Sequence, residues 1–181
     1  AEENKALSSP QASTNNVNGY RLQIPETILG DRSGGDTDRT GKSFTISAWV
    51  KMDRFMNSGS NNKGNVIMGH GAQAHTNYNG SLILATTETG TLKIISGASN
   101  TVTSTLNIAV ALNEWTYLTL VYDNSNFGVC VYKDGVLVTT KNNTKQLELF
   151  GDDPCIFFLG GFRFSGLCDE FQFFNKALTA Q

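Results

Sequence analysis

Histidine, cysteine and proline are scarce: the 181 residues hold two, three and three of them. Each scarcity closes off chemistry. His70 and His75 are five apart in a Gly- and Asn-rich stretch with no Glu between them and no Cys nearby, so a zinc ion there would need a third ligand from elsewhere. Cys130, Cys155 and Cys168 cannot all pair, and a domain of this length buries roughly 70% of its extended-chain surface without needing a disulfide framework. Charge of one sign is also lacking. Fourteen basic residues against sixteen acidic ones, dispersed along the chain, leave no electrostatic footprint for nucleic acid. No apolar run approaches the roughly 18 residues of a membrane-spanning helix. No phosphate loop, dinucleotide fingerprint or Gly-x-Ser-x-Gly nucleophile elbow occurs. No leader peptide is evident, and the opening Ala1-Glu2-Glu3-Asn4-Lys5 reads as what cleavage of one leaves behind. Helix-forming stretches are nearly absent, while Gly, Asn, Thr and Ser abound, which favours many short strands joined by polar loops.

Residues 115–140 are the most informative stretch: WTYLTLVYD, a polar turn, then VCVYK, Asp134-Gly135 and VLVTT. Asp-Gly between alternating apolar runs predicts a two-residue hairpin, because a type I′ turn needs positive φ at both central residues. The turn sets Lys133 opposite Val136, Tyr132 opposite Leu137, Val131 opposite Val138 and Cys130 opposite Thr139. Val129, Val131, Val136 and Val138 are then expected between two sheets, with Cys130, Tyr132 and Leu137 facing the other way. Residues 44–51 (FTISAWVK) alternate cleanly, Phe44, Ile46, Ala48 and Val50 against Thr45, Ser47, Trp49 and Lys51. Further strands are expected at 20–24, 66–69, 81–87, 91–96, 101–106, 155–160 and 166–174. In the last of these, Cys168 and Phe171 are three apart and cannot share a face of a regular strand. If both are buried, a β-bulge lies at Asp169-Glu170 and turns the Asp169 carboxylate towards backbone amides or a cation.

About a dozen candidate strands without a repeat or dividing linker fit an all-β, two-sheet antiparallel jelly-roll sandwich. Residues 1–17 read as a polar tail and lead-in, the first nine of them frayed, and 18–181 as a single domain. Two long polar stretches, 30–41 and 53–64, read as solvated loops; Asp31, Asp36 and Asp38 lack the register of a calcium-binding hand.

Three segments carry a family resemblance: FTISAWVK at 44–51, EWTYLTLVYD with VYKDGVLV between 114 and 138, and LGG with FSGLCDEFQFFNKALT between 159 and 179. In this order they resemble laminin-G-like, concanavalin A-like jelly rolls of secreted bacterial proteins. Cys168 departs from the pattern where an aliphatic residue is usual, and Lys133 stands where Val is common. The resemblance implies a secreted, periplasmic or cell-surface location and a place beside further domains of a longer protein. It also implies one structural calcium ion, held by Asp169 and the region of Asn18.

Enzymes of this fold, the laminarinase-type glycoside hydrolases, place carboxylates on one strand face as Glu-x-Asp-x-Glu. Retaining cleavage needs the two about 5–5.5 Å apart. No such run occurs; the only adjacent acids are Glu2-Glu3, Asp152-Asp153 and Asp169-Glu170, and neighbouring residues on a strand point to opposite faces. The leading expectation is therefore a non-catalytic carbohydrate-binding, lectin-like module taking a poly- or oligosaccharide or a glycoprotein. A protein-interaction, adhesion or spacer module and a divergent glycoside hydrolase are the alternatives. Sugar recognition needs an aromatic face with planar polar partners, which nominates Tyr78 with Asn77 and Asn79 on a loop, and Trp49 beside Thr45 and Ser47. Cys155 and Cys168 could be cross-strand neighbours, but free buried thiols are the expected state.

Overall fold

The computed structural model describes residues 7–8, 20–23, 43–56, 64–70, 82–96, 102–142, 156–159 and 164–179. Among these residues all regular structure is β. In chain order the strands are β1 (Leu7–Ser8), β2 (Tyr20–Gln23), β3 (Phe44–Met52), β4 (Asn65–His70), β5 (Leu82–Thr86) and β6 (Thr91–Ser96). They continue as β7 (Val102–Ala109), β8 (Trp115–Asp123), β9 (Gly128–Lys133), β10 (Val136–Asn142), β11 (Ile156–Leu159) and β12 (Gly166–Phe174). Two six-stranded sheets result: sheet A in the order β1-β12-β3-β8-β9-β10 and sheet B in the order β2-β11-β4-β5-β6-β7. Every strand pair is antiparallel, and the distant chain segments that meet in each sheet make a jelly-roll sandwich.

The alternation of β3 explains its place. Phe44, Ile46, Ala48, Val50 and Met52 are all buried between the sheets, facing Met68, Leu82, Leu84 and Ile94 of sheet B. Of these, Phe44, Ile46, Val50 and Met52 each contribute about 1.5–3 kcal/mol when fully removed from water. Tyr122 of β8 is also fully buried, against Phe44 at 5.7 Å between ring centroids, and donates its hydroxyl to Asn124 Oδ1. β2 lies at the edge of sheet B beside β11, and β7 forms the opposite edge.

The expected bulge is present. Asp169 pairs with Trp49 and Gln172 with Ser47, so three steps along β12 match two along β3. Glu170 takes up the extra residue with a φ of 47°. Cys168 is thereby buried, and Phe171 packs against the same core. The Cys168 thiol is free, and burial pushes its pKa up to about 12. Cys130 is free and half-buried, whereas Cys155 lies outside the described residues. At the start of β12 the chain passes very close to β3. A side chain on Gly166 (φ 150°) would sit 2.1 Å from the Lys51 carbonyl oxygen, so only glycine fits.

Three expectations are corrected. Leu7–Ser8 is not frayed: it pairs with Cys168 and Leu167 as a short edge strand. The Asp134-Gly135 turn has the positive φ values of type I′, 51° and 79°, and begins with the expected register. That register then slips. Val131 pairs with Thr139 and Cys130 with Thr140, because Val138 is bulged out of the ladder. Val129 and Val131 are buried and Val138 packs in part against the core, but Val136, next to the turn, is 69% exposed. Finally, His70 ends β4, where a loop was expected.

Candidate functional site

The outer face of sheet A changes character along β3. At its first half, Thr45 is completely buried: its hydroxyl donates to the Lys176 carbonyl at 2.9 Å and accepts from the Leu178 amide at 3.0 Å. The C-terminal segment is thus fastened over this end. One pair further on, Ser47 is buried and accepts the Tyr117 hydroxyl at 2.8 Å. Beyond Tyr117 the face opens.

Cross-strand register builds the open end. Asp169 of β12, Trp49 of β3 and Tyr117 of β8 stand in one row, and Leu167, Lys51 and Trp115 in the next. Side chains two apart on a strand share a face, so Trp49 and Trp115 both project outwards. Trp49 leans on Tyr117, with ring centroids 5.3 Å apart and planes at 47°. Tyr117 is held in turn by the β9–β10 turn, where its amide donates to Asp134 Oδ1 and its carbonyl accepts from the Asp134 amide. Trp49, Trp115, Asp169 and Glu170 line an open depression of about 270 Å³. Trp49 keeps 36% of its surface in water and Trp115 41%.

The bulge supplies the polar wall and corrects the expectation that Asp169 and Glu170 point to opposite faces, since both line the depression. Asp169 Oδ1 accepts the Glu170 amide at 2.8 Å, which fixes the carboxylate beside the tryptophans, and Glu170 itself is exposed. Among the described residues neither carboxylate joins an ion pair. The arrangement offers an aromatic surface for the C–H face of a sugar ring and two carboxylates that accept hydroxyl protons.

Of the residues nominated from sequence, Trp49 lies in this depression with Asp169. Tyr78, Asn77, Asn79 and Asn18 lie outside the described residues. Trp115 and Glu170 escaped the sequence reading. The signal for Trp115 was its parity with Tyr117, opposite to the buried Thr116, Leu118 and Leu120. For a calcium ion, Asp169 brings one carboxylate with an oxygen already committed to Glu170, whereas calcium takes 6–8 oxygens. Among the described residues no group of three or more His, Cys, Asp or Glu converges, and Asn18, the other residue expected at the ion, lies outside them.

Known structures share the fold. Domain 4 of the extracellular arabinanase AbnA of Geobacillus stearothermophilus, solved with arabinotriose, aligns with 99% of this chain and 79% of its own at 19% identity and a TM-score of 0.61. The CBM40 domain of the Ruminococcus gnavus IT-sialidase, bound to α2,3-sialyllactose, aligns over 97% and 91% at 12% identity and a TM-score of 0.60. A heptameric SAP-like pentraxin of Limulus polyphemus aligns over 88% and 77% at 16% identity and a TM-score of 0.54. At these identities the likeness is one of fold. Comparison with curated protein sequences finds no match. The Laminin_G_3 family model, by contrast, matches residues 31–181, and the chain belongs to the concanavalin A-like lectin/glucanases superfamily.

Proposed function

We propose that the domain is a non-catalytic carbohydrate-binding module of an exported protein, and that the Trp49–Trp115 depression is a sugar site. The observation that carries this reading is the pair of part-exposed tryptophans beside two carboxylates on an otherwise well-packed sheet. A large aromatic left in water on a rigid strand favours association over self-packing. Two structural relatives were solved with oligosaccharides, arabinotriose and α2,3-sialyllactose, which supports the same ligand class here. Tyr78, Asn77 and Asn79 belong to the proposal on sequence grounds as a second contact. The non-catalytic part rests on the missing Glu-x-Asp-x-Glu run. A structural calcium ion at Asp169 and Asn18 rests on family resemblance; its mark is a melting temperature that rises with calcium and falls with chelator.

Affinity electrophoresis against a panel of plant, bacterial and host polysaccharides tests the reading. Retardation by at least one polysaccharide, abolished in Trp115→Ala, is expected; unretarded migration across the panel overturns it.

A second reading has its own observation. Val136 and Leu137 at the hairpin tip are 69% and 50% exposed, and Leu112 is 41% exposed. These suit a protein partner, the adhesion or interaction role. Binding that survives Trp115→Ala and is lost in Leu137→Asp would favour it.

A further inference from the structure

The charge of the depression carries a statement about which sugars it takes. Among the described residues its lining is two aromatics and two carboxylates, with no cation among them. Lys51, in the neighbouring cross-strand row opposite Trp115, is half-buried and stands outside the lining. Asp169 cannot swing away freely, because Oδ1 is tied to the Glu170 amide. Glu170 is exposed, and its backbone φ of 47° belongs to the bulge that keeps Cys168 and Phe171 in the core. Both negative charges therefore flank any ring stacked on Trp49 or Trp115. Vicinal hydroxyls of an uncharged sugar donate to them. A ring bearing its own carboxylate brings a third like charge into the same depression.

We infer that the Trp49–Trp115 depression selects saccharides lacking acidic groups and rejects uronic- and sialic-acid-bearing ones, with Asp169 and Glu170 as the specificity determinants. This rests on the sugar-binding reading above and goes beyond it by assigning the ligand's charge class. Repulsion from two carboxylates through a largely aqueous medium amounts to about tenfold in affinity, and salt screens it.

The test is tryptophan fluorescence titration of the whole chain with matched pairs: lactose against sialyllactose, and xylo-oligosaccharides with and without a glucuronic acid branch. At low ionic strength each neutral sugar that binds should lose about tenfold in affinity when the acidic group is added, and the gap should narrow in 0.5 M salt. Glu170→Gln should narrow it at low salt, as should Asp169→Asn, which keeps an oxygen for the Glu170 amide. An acidic member that binds as tightly as its neutral partner, or a gap unchanged in both variants, overturns the charge assignment while leaving sugar binding intact. Failure of all members of the panel to bind removes the sugar reading and this inference together.

Discussion

The outer faces of the two sheets have opposite fates. On sheet B, Val66, Ile83, Ala85 and Ile95 form a second cluster that is as well sealed as the main core. Lys93, in register with Ala85 on that side, is sealed with them, and burial lowers its pKa. On sheet A the corresponding face holds Thr45 and Ser47, closed by hydrogen bonds to the chain's own C-terminal segment and Tyr117, and then Trp49 and Trp115, which remain part-exposed. A sheet whose outer residues are aliphatic gains most by covering itself. One whose outer residues are aromatic with polar edges stays soluble while keeping a surface that another molecule can cover.

Substitutions at equivalent positions should therefore act on different properties. The largest effect is expected from Ile83→Ala, which empties a site 4% exposed on sheet B: about 2–5 kcal/mol of stability, read from urea denaturation, with ligand binding unchanged below the transition. A loss below about 1 kcal/mol would mean that the sheet B face is loosely covered and the contrast is overstated. Next comes Thr45→Val at the closed end of sheet A. It conserves shape but strands the Lys176 carbonyl and the Leu178 amide, costing about 1–3 kcal/mol. Faster hydrogen exchange at the Leu178 amide should accompany it, since the clasp is what shields that proton.

How much of this was legible in the sequence varied with the range of the interaction. β3 and β12 could be read because their information is local: alternation gave the faces of 44–51, and the three-residue spacing of Cys168 and Phe171 required the bulge that Glu170 provides. The Asp134-Gly135 turn was equally local. The slip at Val138 was not, because nothing in VLVTT marks which residue leaves the ladder or that Val136 beside the turn stays exposed. Leu7–Ser8 lacks any periodicity of its own and becomes a strand by borrowing the edge of β12. The depression was the least legible feature. Trp115 and Glu170 are 55 positions apart, and only the β12-β3-β8 strand order brings them together. An exposed tryptophan and a buried one look alike in a list of letters.

The boundary between the closed and open parts of sheet A should respond more mildly to substitution. Trp115→Ala should cost only about 1–2 kcal/mol of stability, because the ring is already 41% exposed, yet abolish ligand-induced fluorescence change. The smallest effect should come from Ser47→Ala. It removes the acceptor of the Tyr117 hydroxyl, but Tyr117 is only half-buried and can turn that hydroxyl to water, so the stability cost should stay near 0.5–1 kcal/mol. Its consequence for binding is indirect. Tyr117 is the surface on which Trp49 leans, and loosening it gives the Trp49 ring more freedom to lose when a ligand stacks. Affinity should fall about two- to fivefold in Ser47→Ala, and by the same factor in Tyr117→Phe, which breaks the same bond from the other side. Equal losses in the two single variants and no further loss in the double variant would locate the effect in that one hydrogen bond. Additive losses would mean that Ser47 and Tyr117 act on the site separately, and that the closed end of the sheet does not brace the open one.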